Sequence, residues 1–152
     1  MGTNIVPNIE SRTHLGRKIA TSSAVDSRKT AFLAACAAES KKAISTVVLD
    51  VAKVTLIADY FVFTGGDSRA QVKAIVEEIL SSLEKVGRKA KSVEGLTEGR
   101  WVLIDFGDVI IHVLQGAERE YYKLEQFWNH ALIVDPEEWT KTGSDSDNLE
   151  VE

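Results

Sequence analysis

The stretch Trp101-Val102-Leu103-Ile104-Asp105-Phe106-Gly107-Asp108-Val109-Ile110-Ile111-His112-Val113-Leu114 constrains this chain more than any other. Two runs rich in β-branched and aromatic residues flank Gly107-Asp108. Gly followed by Asp favours a two-residue hairpin turn, because glycine takes a positive φ without steric cost. Such a turn sets Phe106 opposite Val109, Asp105 opposite Ile110, Ile104 opposite Ile111, Leu103 opposite His112, Val102 opposite Val113 and Trp101 opposite Leu114. Side chains alternate between the two faces of a strand. One face is then Val102, Ile104, Phe106, Val109, Ile111 and Val113, which is wholly apolar and must be core. The other carries Trp101, Leu103, Asp105, Ile110, His112 and Leu114. On it Asp105 and His112 sit on a diagonal, within reach of each other if the twist favours that diagonal.

The rest of the chain arranges itself around this hairpin. Residues 1–26 lack periodicity and are rich in Ser, Thr, Asn and Gly, which predicts a disordered extension. Asp26 or Ser27 can cap a helix from about Arg28 to Lys42, with Phe32, Leu33, Cys36 and several alanines on its packing side. Thr46 to Val51 and Asp59 to Gly65 read as strands. After Gly66, Asp67 or Ser68 can cap a helix in which Val72, Ile75, Val76, Ile79, Leu80, Leu83 and Val86 follow helical spacing without a miss, and Gly87 stops it. Gln71 lies off that stripe and should face solvent. Lys89 to Glu94 reads as an exposed or edge strand. The strand, helix and strand across 59–94 are long enough for a right-handed crossover between parallel strands. A third helix is expected from about Glu118 to His130, and Ala131-Leu132-Ile133-Val134 can dock as a last extended piece. Pro136 ends regular structure. The order α-β-β-α-β-β-β-α predicts a single α/β domain over residues 27–136, with a mixed five-stranded sheet and helices packed against it. Residues 137–152 read as an acidic disordered tail with Trp139 as its one notable feature.

Composition removes several classes of function. The 152 residues suit one domain and carry a formal net charge of −5. Asp135, Glu137, Glu138, Asp145, Asp147, Glu150 and Glu152 stand against Lys141 alone, so nearly all the acidity is in the tail. The near-neutral body is unlike a free-standing nucleic-acid binder. No apolar run approaches the ~18 residues of a membrane span. Cys36 is the single cysteine, so an internal disulfide is ruled out; this fits a reducing compartment. Its Ala-rich surroundings predict a buried, inert thiol.

Candidate chemistry is sparse. Gly65-Gly66-Asp67-Ser68 precedes a helix N-terminus that could hold a phosphate, and the element order loosely suggests a nucleotidyltransferase. Yet Asp67 puts an anion where the phosphate would go, and no Lys-Ser/Thr follows as a P-loop requires. A two-metal transferase wants paired carboxylates, whereas Asp105 and Asp108 straddle a turn. Asp105 and His112 could be a base and its orienting carboxylate, or a structural pair. His14 and His130 complete no metal set with His112, and there is no HExxH or CxxC, so neither metal nor cofactor is expected. Trp101 beside Asp105 and Asp108 fits a third role, an aromatic contact for a basic protein partner. A helix covering the same face would instead bury Trp101 as core, and the residues leave the two readings open.

These same residues carry a family resemblance. Ala58-Asp59-Tyr60-Phe61-Val62, Thr64-Gly65 and Ser68-Arg69 form one block. Glu94-Gly95, Trp101, Asp105, Gly107-Asp108 and His112 form a second, and Arg119, Tyr122, Leu124-Glu125 and Trp128 a third. In order and spacing the chain resembles the ribosomal silencing factor, or Iojap-like, family over roughly residues 30–130, with the N-terminal extension and the tail past Pro136 left out. The resemblance implies a nucleotidyltransferase-like fold without the catalytic carboxylates. It implies a translational repressor, not an enzyme, that binds the large ribosomal subunit through a ribosomal protein on its subunit-joining face and blocks association with the small subunit. It implies a cytoplasmic protein, with organelle import open, and a homodimer in some members. The partner-binding surface is expected to include Trp101, Asp105 and Asp108, with His112, Tyr122 and Glu125 beside them. The alternative is a nucleotidyltransferase-type enzyme using Gly65-Gly66 and Asp105.

Overall fold

The computed structural model describes residues 26–122, 128 and 130–142. The elements run α1 (Ser27–Ser40), β1 (Ile44–Asp50), β2 (Tyr60–Gly66), α2 (Arg69–Glu84), β3 (Ser92–Glu94), β4 (Trp101–Asp105), β5 (Val109–Gln115), α3 (Gly116–Tyr122), β6 (Leu132–Ile133) and α4 over residues 136–142. The strands form one mixed sheet in the order β3-β4-β5-β2-β1-β6, with β2 and β5 as its parallel pair. The expected fold class holds. The sheet has six strands rather than five, because the segment expected to dock after the third helix pairs with β1 as β6.

Local chemistry explains the element boundaries. Asp26 caps α1, its Oδ1 accepting the Lys29 amide at 2.8 Å, and Ser68 caps α2, its Oγ accepting the Gln71 amide at 3.1 Å. At the far end of α2 the chain turns at Gly87, where the Arg88 amide donates to the Leu83 carbonyl at 2.9 Å. The β4–β5 register is the one its turn dictates, from Trp101 opposite Leu114 to Asp105 opposite Ile110, with Gly107 at φ 93°. Each apolar side chain that α2 buries on the sheet is worth roughly 1.5–3 kcal/mol.

Position in the sheet was harder to read from local pattern. The strands on either side of α2 run the same way, but β4 and β5 stand between them, and the parallel neighbour of β2 is β5. The third helix starts at Gly116 rather than Glu118 and is described to Tyr122.

The sheet separates two apolar clusters. On one side α1 and α2 cover Val48, Val62, Val102, Ile104, Phe106, Val109, Ile111 and Val113. On the other, Leu49, Val51, Ala58, Phe61, Phe63, Leu103 and Ile110 pack together, with Trp128 and Ala131 against them. The boundary expected at residue 136 is corrected here. Residues 136–142 form α4, and its Trp139 is buried in the first cluster. The Cys36 thiol, half-buried on α1, donates to the Trp139 carbonyl at 2.8 Å, and Arg28 pairs with Glu138 at 3.0 Å. One large aromatic side chain outweighs the acidic residues around it, so truncation at 136, harmless by composition, would remove part of the core. The remaining tail and the N-terminal extension lie outside the described residues.

Candidate functional site

The second face of the hairpin carries the polar residues that the sequence singled out. His112 on β5 stacks on Phe63 of β2, ring centroids 5.0 Å apart, and meets Phe61 edge-on at 6.2 Å. Trp128 closes on Phe61 at 4.8 Å. Across the hairpin, the Trp101 indole N–H donates to His112 Nδ1 at 3.0 Å. That bond puts the imidazole proton on Nε2, which is buried with no hydrogen-bond partner among the described residues. Burial, and secondarily the Arg119 charge, lowers the His112 pKa from 6.5 to about 3. The ring is therefore neutral at physiological pH and closed to solvent, which removes it as a general base.

Asp105 does not complete a dyad with it. Its Oδ1 accepts the Gly107 amide at 2.7 Å, bracing the turn from within the strand. Asp108 faces the other way. Arg88 grips its carboxylate at 2.7 and 3.4 Å and also donates to the Phe106 carbonyl at 3.2 Å. The Asp108 carbonyl receives the Asp59 and Tyr60 amides at 2.8 and 3.3 Å, which fastens the turn to the start of β2. The two carboxylates thus do not converge, and Asp108 is paired within the chain.

Of the residues expected to face a partner, Trp101 is only 4% exposed, and Asp105 and His112 are buried as well. The structure takes the core alternative for Trp101, because the covered face encloses it. Asp108 is half-buried. Tyr122 ends α3, but its side chain, like the whole of Glu125, lies outside the described residues. Arg119, part of the third resemblance block, is buried and donates to the Ser45 carbonyl at 2.8 Å, tying α3 to the start of β1.

The loop at residues 65–68, the candidate phosphate site, is filled by the protein itself. Gln71 Oε1 accepts the Asp67 amide at 2.6 Å, while its Nε2 donates to the Lys41 and Lys42 carbonyls at 3.0 and 2.9 Å. Gln71 is therefore a bridge between α1 and α2, not the solvent-facing residue expected from its place off the stripe. Gly65 is needed for packing. A Cβ there would stand 2.9 Å from the Leu114 carbonyl oxygen, across the parallel β2–β5 pair. No cluster of His, Cys, Asp and Glu among the described residues could hold a metal. Nor is any described helix long and apolar enough to cross a membrane.

Sequence reasoning missed Arg88, Gln71 and the exposed apolar side chains of loop 51–58 and β6. Only the last had a signal, the Leu132-Ile133 pair.

A family model described as "Ribosomal silencing factor during starvation" matches residues 24–151. The chain belongs to the ribosomal silencing factor family. The match runs through α4 and past Pro136, further than the motif blocks reached. The Bacillus subtilis (strain 168) protein named ribosomal silencing factor RsfS is 43% identical over 103 residues, 68% of this chain and 87% of that one. Protein Iojap, chloroplastic, from Zea mays is 33% identical over 102 residues, covering 65% of this chain and 43% of its own. The Mus musculus protein named mitochondrial assembly of ribosomal large subunit protein 1 is 29% identical over 84 residues, 53% of this chain and 37% of its own. A crystal structure of a Chromobacterium violaceum protein superposes with a TM-score of 0.66 at 34% identity, covering 69% of this chain and 88% of that chain. A Bacillus halodurans structure gives 0.60 at 40% identity, covering 68% and 93%. The silencing-factor family is thus shown by sequence, and the mixed α/β fold is shared with solved structures.

Proposed function

We propose that this chain represses translation by binding the large ribosomal subunit through a ribosomal protein on its subunit-joining face, so that the small subunit cannot dock. The observation that carries the reading is the family match along residues 24–151. The large-subunit wording in the mouse relative's name supports the choice of subunit. The mode of action is steric and needs no turnover. The interior supports that view: Gln71 occupies the helix N-terminus a phosphate would use, and Asp105 is committed to its own turn. The nucleotidyltransferase alternative is left with the order of elements alone, since its two candidate groups, the Gly65-Gly66 loop and Asp105, are engaged within the chain. Trp101, Asp105 and His112 then belong to the core that holds the hairpin together rather than to a contact surface. Such a protein works where its ribosomes are, which for a bacterial chain is the cytoplasm; the name of the maize relative places that protein in chloroplasts.

Sedimentation with purified subunits tests the reading. The chain should co-migrate with large subunits and reduce the yield of joined particles when small subunits are added. Co-migration with the small subunit alone, or with neither, would sink it.

A further inference from the structure

Four apolar side chains are exposed on the loop that follows β1 and on β6, the strand paired with the end of β1: Val54, Leu56, Leu132 and Ile133. β1 ends at Asp50, and the chain loops through residues 51–58 before β2 begins. The loop is held in shape: the Val51 amide donates to the Asp59 carbonyl at 2.9 Å, and the Val54 and Thr55 amides donate to the Val51 carbonyl at 3.0 Å. Leu56 nonetheless projects from it, 72% exposed. β6 lies along the same end of β1, Ile133 beside Leu49 and Leu132 beside Asp50. Ala131 packs into the cluster that holds Val51, Ile57 and Ala58, which brings loop and strand together. Leu132 and Ile133 are 63% and 69% exposed.

Among the described residues, no further strand pairs with the backbone at this corner. β6 is the outermost strand of the sheet, and the Val134 amide donates inward to the Val48 carbonyl at 2.9 Å. Backbone groups alternate sides along an antiparallel strand, so the Ile133 N–H and C=O point away from β1. An apolar edge of this kind is a template for one more strand. The short strand and the Asp135-Pro136 that follow it limit indiscriminate pairing, which favours a specific occupant.

The charges around the corner select that occupant. Asp50 pairs with Leu132, Asp59 closes the loop onto Val51, and Asp135 and Glu137 follow β6, with Lys53 in the loop and Arg28 already paired to Glu138; the Asp50 and Asp135 carboxylates each accept a nearby backbone amide and keep their charge. The acidic field is felt at Tyr60, whose pKa is raised by burial first and then by Asp50, with Asp26 and Asp59 adding and Arg28 opposing.

We propose that the β6 edge and loop 51–58 dock an extended, basic segment of a protein partner as a seventh strand, its apolar side chains among Leu56, Leu132 and Ile133. The inference rests on the ribosomal reading above and specifies which surface and which chemistry serve it. The partner is protein rather than RNA, because carboxylates repel a phosphate backbone.

The test uses the full chain and purified large subunits. Ile133→Pro deletes the outward-facing N–H while keeping the inward bonds of β6, a substitution that edge strands tolerate. Leu56→Lys adds a repelling charge at an exposed position. Each should melt with the wild type and bind large subunits about tenfold or more weakly. Glu137→Lys should weaken binding about threefold at low salt and not at high salt. Wild-type affinity in both Ile133→Pro and Leu56→Lys would remove docking from this corner while leaving the ribosomal reading intact, since the unaltered chain would still co-sediment. Failure of the wild type to bind ends both. Altered self-association with unchanged subunit affinity would make the occupant a second copy and overturn the proposal, as would tighter binding of Leu56→Lys to protein-free ribosomal RNA with no loss on subunits. Should Ile133→Pro melt early, Leu132→Lys takes its place and is read the same way.

Discussion

The two faces of the β4–β5 hairpin arise from a single alternation of residues, yet different forces hold them. Toward α1 and α2 the hairpin presents Val102, Ile104, Phe106, Val109, Ile111 and Val113, all buried, with no polar side-chain atom to satisfy. Area and shape decide stability there. The opposite face buries Trp101, Asp105 and His112 among Leu103, Ile110 and Leu114. On that side each buried polar group needs a partner, and the indole finds His112 while the carboxylate finds the Gly107 amide. The first face should weaken smoothly with lost volume, whereas the second should fail by hydrogen bonds and respond to pH.

The largest test of this contrast is Trp101→Ala. It should cost about 3–5 kcal/mol in denaturant melts, because it empties a buried site and leaves His112 Nδ1 without its donor. Large-subunit affinity, counted per folded molecule in the same sample, should be unchanged. Intact melting with lost affinity would instead return Trp101 to the interface.

On the apolar side, Ile79→Ala empties the middle of the α2 stripe and should cost about 2–4 kcal/mol. Because no titrating group is touched, the loss should be the same at pH 7 and pH 5. A loss that differs markedly between the two would blur the contrast between the faces.

The pH response belongs to His112. Its pKa falls from 6.5 to about 3 on folding, so between those values the unfolded chain binds a proton that the folded chain refuses. Stability is fully retained above pH 6.5 and declines as pH drops toward about 3, by at most about 1.4 kcal/mol per pH unit. His112→Gln should flatten this slope relative to wild type. Equal slopes in the two proteins would assign the acid sensitivity elsewhere.

Gln71 gives the smallest effect. Gln71→Ala leaves the Lys41 and Lys42 carbonyls and the Asp67 amide to water and should cost about 1 kcal/mol. A thermal melt indistinguishable from wild type would mean that water replaces the bridge in full.

What the sequence disclosed follows the range of the interactions. The hairpin register, the α2 stripe and the Asp26 and Ser68 caps depend on residues a few positions apart, and the pattern of residue types displays them directly. Which strand adjoins β2, where β3 sits and how Arg88 meets Asp108 depend on contacts between distant segments, which no local period encodes. Trp139 was hidden because its acidic surroundings dominate the composition of the tail. The same limit governs the candidate site. A period of two told which residues share a face with Trp101 but not what would cover them, so core and interface could be separated only once the face was seen to be closed.

The parallel pairing of β2 with β5 also bears on how fast this protein folds. Tyr60 joins Val109 only after α2, β3 and β4 have been bridged, so the middle of the sheet closes a long loop before its contacts offset the lost chain entropy. The β4–β5 hairpin, with its two-residue turn, can form on the microsecond scale, roughly 1–10 μs. Docking of β2 against it is then the expected slow step. Residues at that seam, Val62 and Ile111 among them, are where truncation should retard folding most in relation to the stability it removes.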